Sequence, residues 1–143
     1  MEINYKSYCE LVITSDTVVP NSITDITKIK PNRTFQKGDF FKSKRSGSEG
    51  IRKHNLWAVK SRDITTEEDN ILMHIDYFKK LFEDKIEGIK KLKEESHSEI
   101  SFWVWIESKE VGIGLDIPES ELNFINSFCN RLHFSFIGSC DKI

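Results

Sequence analysis

No apolar run in the 143-residue chain approaches the roughly 18 residues that a membrane-spanning helix needs. The first residues, MEINYKSYCEL, lack a basic region followed by an apolar one, so no signal peptide is expected. Cysteine is sparse. Cys9, Cys129 and Cys140 are odd in number, widely spaced and free of any Cys-x-x-Cys pair. Reduced thiols in a cytosol fit that pattern better than a disulfide framework, so the expected location is cytoplasmic. The four histidines include no pair at ligand spacing, and no metal or other cofactor is expected. An excess of one charge is missing too. The formal net charge is −2, which does not equip the whole molecule for DNA or a membrane surface. No internal repeat, low-complexity tract, RNP-type motif, helix-turn-helix or zinc-finger signature occurs.

What is present is an ordinary globular composition, with 38% apolar and 31% charged residues, and a length that suits one domain over 1–143. The most apolar stretch is 99–116, EISFWVWIESKEVGIGLD. Ile100, Phe102, Val104 and Ile106 alternate onto one face, and Ser101, Trp103, Trp105 and Glu107 onto the other. Val111, Ile113 and Leu115 repeat the alternation after a polar turn, so the stretch reads as a β-hairpin. Its first strand has two greasy faces. Either both are covered, or the tryptophan face meets a partner.

The other elements follow the same logic. Residues 7–15 form an amphipathic strand, with Cys9, Leu11 and Ile13 on one face and Tyr8, Glu10, Val12 and Thr14 on the other. Ile23, Ile26 and Ile29 predict a two-turn helix with a capping pattern at Ser22 and Asp25, stopped before Pro31. Residues 31–54 are glycine- and serine-rich and read as a long loop, pinned by Phe40 and Phe41. A short strand over 55–61 carries Trp57 and Val59 on one side. Thr65 and Glu68 form a capping box for a helix whose stripe runs through Ile71, Ile75, Phe78, Phe82, Ile86, Ile89 and Leu92. Gly88 leaves open a bend or a division into two helices. A final helix of about 14 residues carries Leu122, Ile125, Cys129 and Leu132, and a strand over 133–138 carries Phe134 and Phe136 on one face. The order from residue 55 on is strand, helix, strand, strand, helix, strand. The expected fold is therefore α+β, an antiparallel sheet with two main helices on one face in ferredoxin-like (split βαβ) order, plus an N-terminal strand and short helix.

Two features bear on function. Residues 28–62 hold eleven Lys or Arg against only Asp39 and Glu49, so the rest of the chain carries the acidic excess. Such an island can bind phosphates, dock an acidic protein, or simply pair with the chain's own acids in solvent. Within it, Lys42, Lys44, Arg45, Arg52 and Lys53 are the candidates for contact with a partner. The second feature is the set Trp57, Trp103 and Trp105, which serves core packing, an interface hot spot or base stacking. No catalytic constellation emerges. Cys129 and His133 are four apart, but Cys129 lies on a buried stripe; Gly112-Ile113-Gly114 stands in an expected strand, so it is no phosphate loop. His54, His74, His97 and His133 fall on different elements, and the carboxylates of the long helix look like a solvated face.

Taken together, YCELVITSD in the first strand, the short helix ending near Pro31, the Gly38-Asp39 turn, Leu56-Trp57-Ala58-Val59, His74-Ile75 on the long helix and GIGLDIPESELNFINSF resemble a bacterial family of unknown function, number 4279 among such domains. The resemblance implies small bacterial proteins with no assigned activity and no catalytic residues to carry over. By analogy, some families of this kind are immunity proteins beside toxins. The expectation is a non-enzymatic protein of the bacterial cytoplasm, immunity-type or regulatory, that binds another protein, such as a toxin, through Trp103 and Trp105 or the basic loop. The alternative is a nucleic-acid-binding module using 28–62 and exposed aromatics. Oligomeric state is left open.

Overall fold

The alternating first strand lies at the centre of the sheet, between two antiparallel neighbours. The computed structural model describes residues 5–62, 71–108 and 114–138. In chain order the elements are β1 (Tyr5–Ser15), α1 (Pro20–Thr27), β2 (Arg33–Phe35), β3 (Phe40–Lys42), β4 (Glu49–Ile51), β5 (Asn55–Lys60), α2 (Ile71–Phe82), α3 (Ile86–Ser96), β6 (Glu99–Ser108), α4 (Glu119–Phe128) and β7 (Arg131–Gly138). The main sheet runs β2-β5-β1-β6-β7, and β3 and β4 form a separate two-stranded ribbon. β1 is antiparallel to β5, with Leu11 opposite Val59, and to β6, with Leu11 opposite Phe102.

The fold is α+β, and the faces of β1, β5 and β6 are those the alternation predicts. The sheet, however, is mixed. β7 runs parallel to β6, with Phe102 opposite Leu132. A parallel neighbour requires a crossover of a dozen or more residues, and α4 supplies it. β6 has β1 on one edge and β7 on the other, so the expected hairpin partner has no free edge along Ser101–Ser108. Of that arm, 109–113 lie outside the described residues, and Leu115 lies in a stretch without regular structure. Ferredoxin-like order would set the last strand beside β5. Here β1 fills that position, and β7 takes the far edge.

The helices depart from expectation at their ends. α1 starts at Pro20, whose missing N–H costs nothing in a first turn. Lys28 in the left-handed conformation ends it, its N–H donating to the Thr24 carbonyl, so the stop precedes Pro31. The long helical stripe is two helices, α2 and α3. The break falls at 83–85, where the Lys85 N–H turns back to the Phe82 carbonyl, and not at Gly88. The capping box at Thr65 and Glu68 lies outside the described residues. α4 is shorter than predicted, and its buried residues are Ile125 and Phe128. Leu122 is exposed and Leu132 belongs to β7. The long loop is built as well: β2 pairs with β5, and β3 with β4.

One face of the sheet carries the core. Cys9, Leu11, Ile13, Trp57, Val59, Ile100, Phe102, Val104 and Ile106 meet Ile23, Ile75, Phe78, Phe82, Ile89 and Phe128 from the four helices. Phe78 meets Phe102 edge-on at 5.3 Å, and Phe82 stacks on Phe128 at 6.0 Å. Each such buried side chain contributes about 1.5–3 kcal/mol of transfer free energy. Trp57 belongs to this core, with its indole N–H donating to Thr24 Oγ1 at 3.1 Å.

Candidate functional site on the helix-free sheet face

All helices pack on one side, so the alternate residues of every strand project onto a face that no described helix covers. Register sets their neighbours. Tyr8 of β1 is opposite Trp105 of β6, Glu10 is opposite Trp103, and Trp103 is opposite His133 of β7. The rings form a row across three strands. Tyr8 stacks on Trp105 at 6.0 Å, Trp105 on Trp103 at 5.4 Å, and His133 lies 3.8 Å from Trp103. All four are half-buried. The indole Nε1 of Trp105 is buried and has no acceptor among the described residues. A buried donor without a partner costs about 1–3 kcal/mol relative to a satisfied one.

Beside the row, Val12, Leu56 and Ala58 form a small second cluster with Phe35 and Trp103. Glu10 is 7% exposed within this face. Burial pushes its carboxyl above the ordinary carboxylate value, while Arg33 and Lys60 draw it back. The Arg33 guanidinium donates to Glu10 Oε1 at 3.3 Å. Burial, and then the charge of Glu10, raise the Tyr8 hydroxyl, and Arg62 lies 5.4 Å over the Tyr8 ring. The face thus presents a band of stacked rings flanked by Arg33, Lys60 and Arg62.

Trp103 and Trp105 therefore stand together on the face that no described helix covers. The basic candidates do not join them. Lys42 ends β3, opposite Glu49, and Lys44 and Arg45 occupy the exposed turn of the ribbon. Lys53 is exposed after β4. Arg52 is engaged within the molecule, its guanidinium lying between the rings of Phe35 and Phe41 at 4.0 and 4.1 Å. Tyr8 and Glu10 are not among the candidates read from the sequence, and His133 enters there only as a metal or catalytic candidate. The alternation in 7–15 marks Tyr8 and Glu10 as a second face, but only strand pairing sets them beside Trp105 and Trp103.

The histidines do not converge. His54 bonds Asp16 at 2.6 Å, which holds that carboxyl below its ordinary range. His74 bonds Ser61 Oγ at 2.6 Å inside the core, and that hydroxyl also accepts the Cys9 N–H. Ser61 is fully buried, which removes it from any substrate. Among the described residues no group of three or more His, Cys, Asp or Glu could hold a metal ion. Burial pushes the Cys129 thiol up to about 12, so it is a poor nucleophile. Cys140 lies outside the described residues. No helix among the described residues is long and apolar enough to cross a membrane.

An α+β protein with a mixed five-stranded sheet, covered by helices on one face and presenting an aromatic row on the other, is the class these features define. Residues 3–137 match the model of a domain of unknown function, DUF4279, and the chain belongs to that family. No curated protein and no solved structure gives a significant match.

Proposed function

We propose that this is a non-enzymatic binding protein of the bacterial cytoplasm, immunity-type or regulatory, which takes a protein partner on the helix-free sheet face. The observation that carries the reading is the row of half-buried rings Tyr8, Trp105, Trp103 and His133 on the face that no described helix covers. Half-buried tryptophans flanked by arginine are the residue types that dominate interface energetics.

The nucleic-acid alternative draws less support from the same geometry. Base stacking needs free ring faces. Trp103 has Trp105 and His133 against it, and Trp105 has Trp103 and Tyr8. Arg52, which such a platform would use, is held between Phe35 and Phe41.

The test is affinity capture from host lysate with the wild type and with Trp103→Ala, followed by titration of the partner recovered. A stoichiometric protein partner is expected, and truncating Trp103 should weaken it by about thirtyfold or more if the tryptophan is a hot spot. Circular dichroism establishes that the variant is folded. A partner held equally well by folded Trp103→Ala, or nucleic acid recovered in place of protein, refutes the reading.

A further inference from the structure

The two edges of the main sheet are finished differently. On one side, β2 is only three residues long, and side chains consume backbone groups beyond it. Asn32 Oδ1 accepts the Lys60 N–H, and Asn55 Oδ1 accepts the Lys37 N–H. Arg33 and the nearby ribbon add charge and cover. Short, charged, covered edges are how sheets avoid pairing with other chains.

Among the described residues the opposite edge is long and uncovered, and its one charge, Arg131, stands at the strand's start. β7 is eight residues long, RLHFSFIG, without proline, lysine or acid. Its inner edge pairs with β6, and nothing among the described residues pairs with its outer edge. Its side chains are exposed and apolar: Phe134 by 38%, Phe136 by 62% and Ile137 by 50%. Phe134 and Phe136 lie 6.5 Å apart with nearly parallel rings. Beyond the start of the strand, a cleft of about 300 Å³ opens between α4 and β7, lined by Leu122, Ile125, Cys129 and Leu132 among others.

We propose that β7 is a homodimerisation edge, paired antiparallel with β7 of a second copy to make a continuous ten-stranded sheet. A second copy is the occupant because the strand complements itself. With the two-fold axis at Ser135, Phe134 faces Phe136 of the copy on one sheet face, and His133 faces Ile137 on the other. Directly opposed aromatic pairs stabilise antiparallel strands. The single charge, Arg131, lies at the strand's far end and is paired with Glu99 at 3.1 Å, so two-fold pairing opposes no like charges along 132–138. The self-pairing is isologous and closes at two copies. It also joins two helix-free faces side by side, placing two aromatic rows on one surface.

Sedimentation equilibrium of the full chain, from low micromolar to hundreds of micromolar, tests this. The wild type should be dimeric at the upper end. Phe136→Lys introduces the edge lysine that β7 lacks and should weaken association by about thirtyfold or more. Phe136 is largely exposed, so at low micromolar concentration, where both proteins are monomeric, the unfolding midpoint should hardly move, which separates lost pairing from lost folding. Phe40→Lys, at the exposed ribbon, should leave the dimer intact. A wild type that stays monomeric overturns the proposal. So does a dimer that folded Phe136→Lys preserves.

Discussion

Glu10 shows how much one position on the open face constrains. It follows Cys9 and precedes Leu11, both fully buried, so the strand's alternation turns it onto the face that no described helix covers. There it is nonetheless almost inaccessible, opposite Trp103 and near the cations Arg33 and Lys60. Its folded-state pKa is raised above the ordinary 4.5 because burial penalises the carboxylate more than Arg33 and Lys60 favour it. For an acid the sign is definite. The stability contribution is fully present below the unfolded pKa and is lost as pH rises through the folded one. Glu10→Gln removes that loss. Its stability relative to the wild type should rise from acidic to neutral pH, as measured by urea unfolding of both proteins across that interval. Arg33 is more than half exposed, so losing its ion pair offsets little. A stability difference that stays flat with pH would show that the carboxylate is solvated in the native state.

At the scale of elements, Gly88 is the informative residue. It lies inside α3, where a β-carbon would sit 3.3 Å from Ile26 Cγ2 on α1. The glycine thus sits at a close approach of two helices, while the chain break falls at 83–85. Gly88→Ala gains about 1 kcal/mol of helix propensity. The crowding is mild because Ile26 is 46% exposed and its side chain can yield. The expected result is a small rise in Tm, with net stabilisation between zero and about 1 kcal/mol. A clear fall would mean that the α1–α3 contact cannot open by a few tenths of an ångström. The same comparison shows which parts of the fold are legible in a sequence. The strands of β1, β5 and β6, and the face each buries, follow from a two-residue period that local steric rules impose. The stripe of α2 and α3 follows likewise from a helical period. Partner choice does not. That β1 enters between β5 and β6, and that β7 runs parallel to β6, depends on contacts among residues distant in sequence. The same holds for the site. Trp103 and Trp105 are readable as a face, whereas Tyr8 and His133 join them only through strand register.

Over the whole molecule, charge and aromatic surface are separated. The cations of 28–62 are spread along β2, β5 and the β3–β4 ribbon, with Lys42, Lys44 and Arg45 concentrated at the ribbon's exposed end. Trp103 and Trp105 lie on β6, two strands away from β5 and next to the far-edge strand β7. An interface using both would therefore span the sheet, with the rings supplying short-range affinity and the ribbon supplying encounter. The two contributions differ in their response to salt. Charge reversal of Lys42, Lys44 and Arg45 to Glu touches exposed residues, so stability should change by only about 0.5 kcal/mol per site or less. Partner association should slow markedly at low ionic strength, and the deficit should shrink as the Debye length falls below about 10 Å above 0.1 M salt. The Trp103→Ala deficit should instead persist at all salt concentrations and appear in the dissociation rate. Surface plasmon resonance across a salt series reads both. If the reversed variant binds at the wild-type rate in low salt, the ribbon lies outside the interface, and steering onto this face falls to the cations beside the aromatic row, Arg33, Lys60 and Arg62.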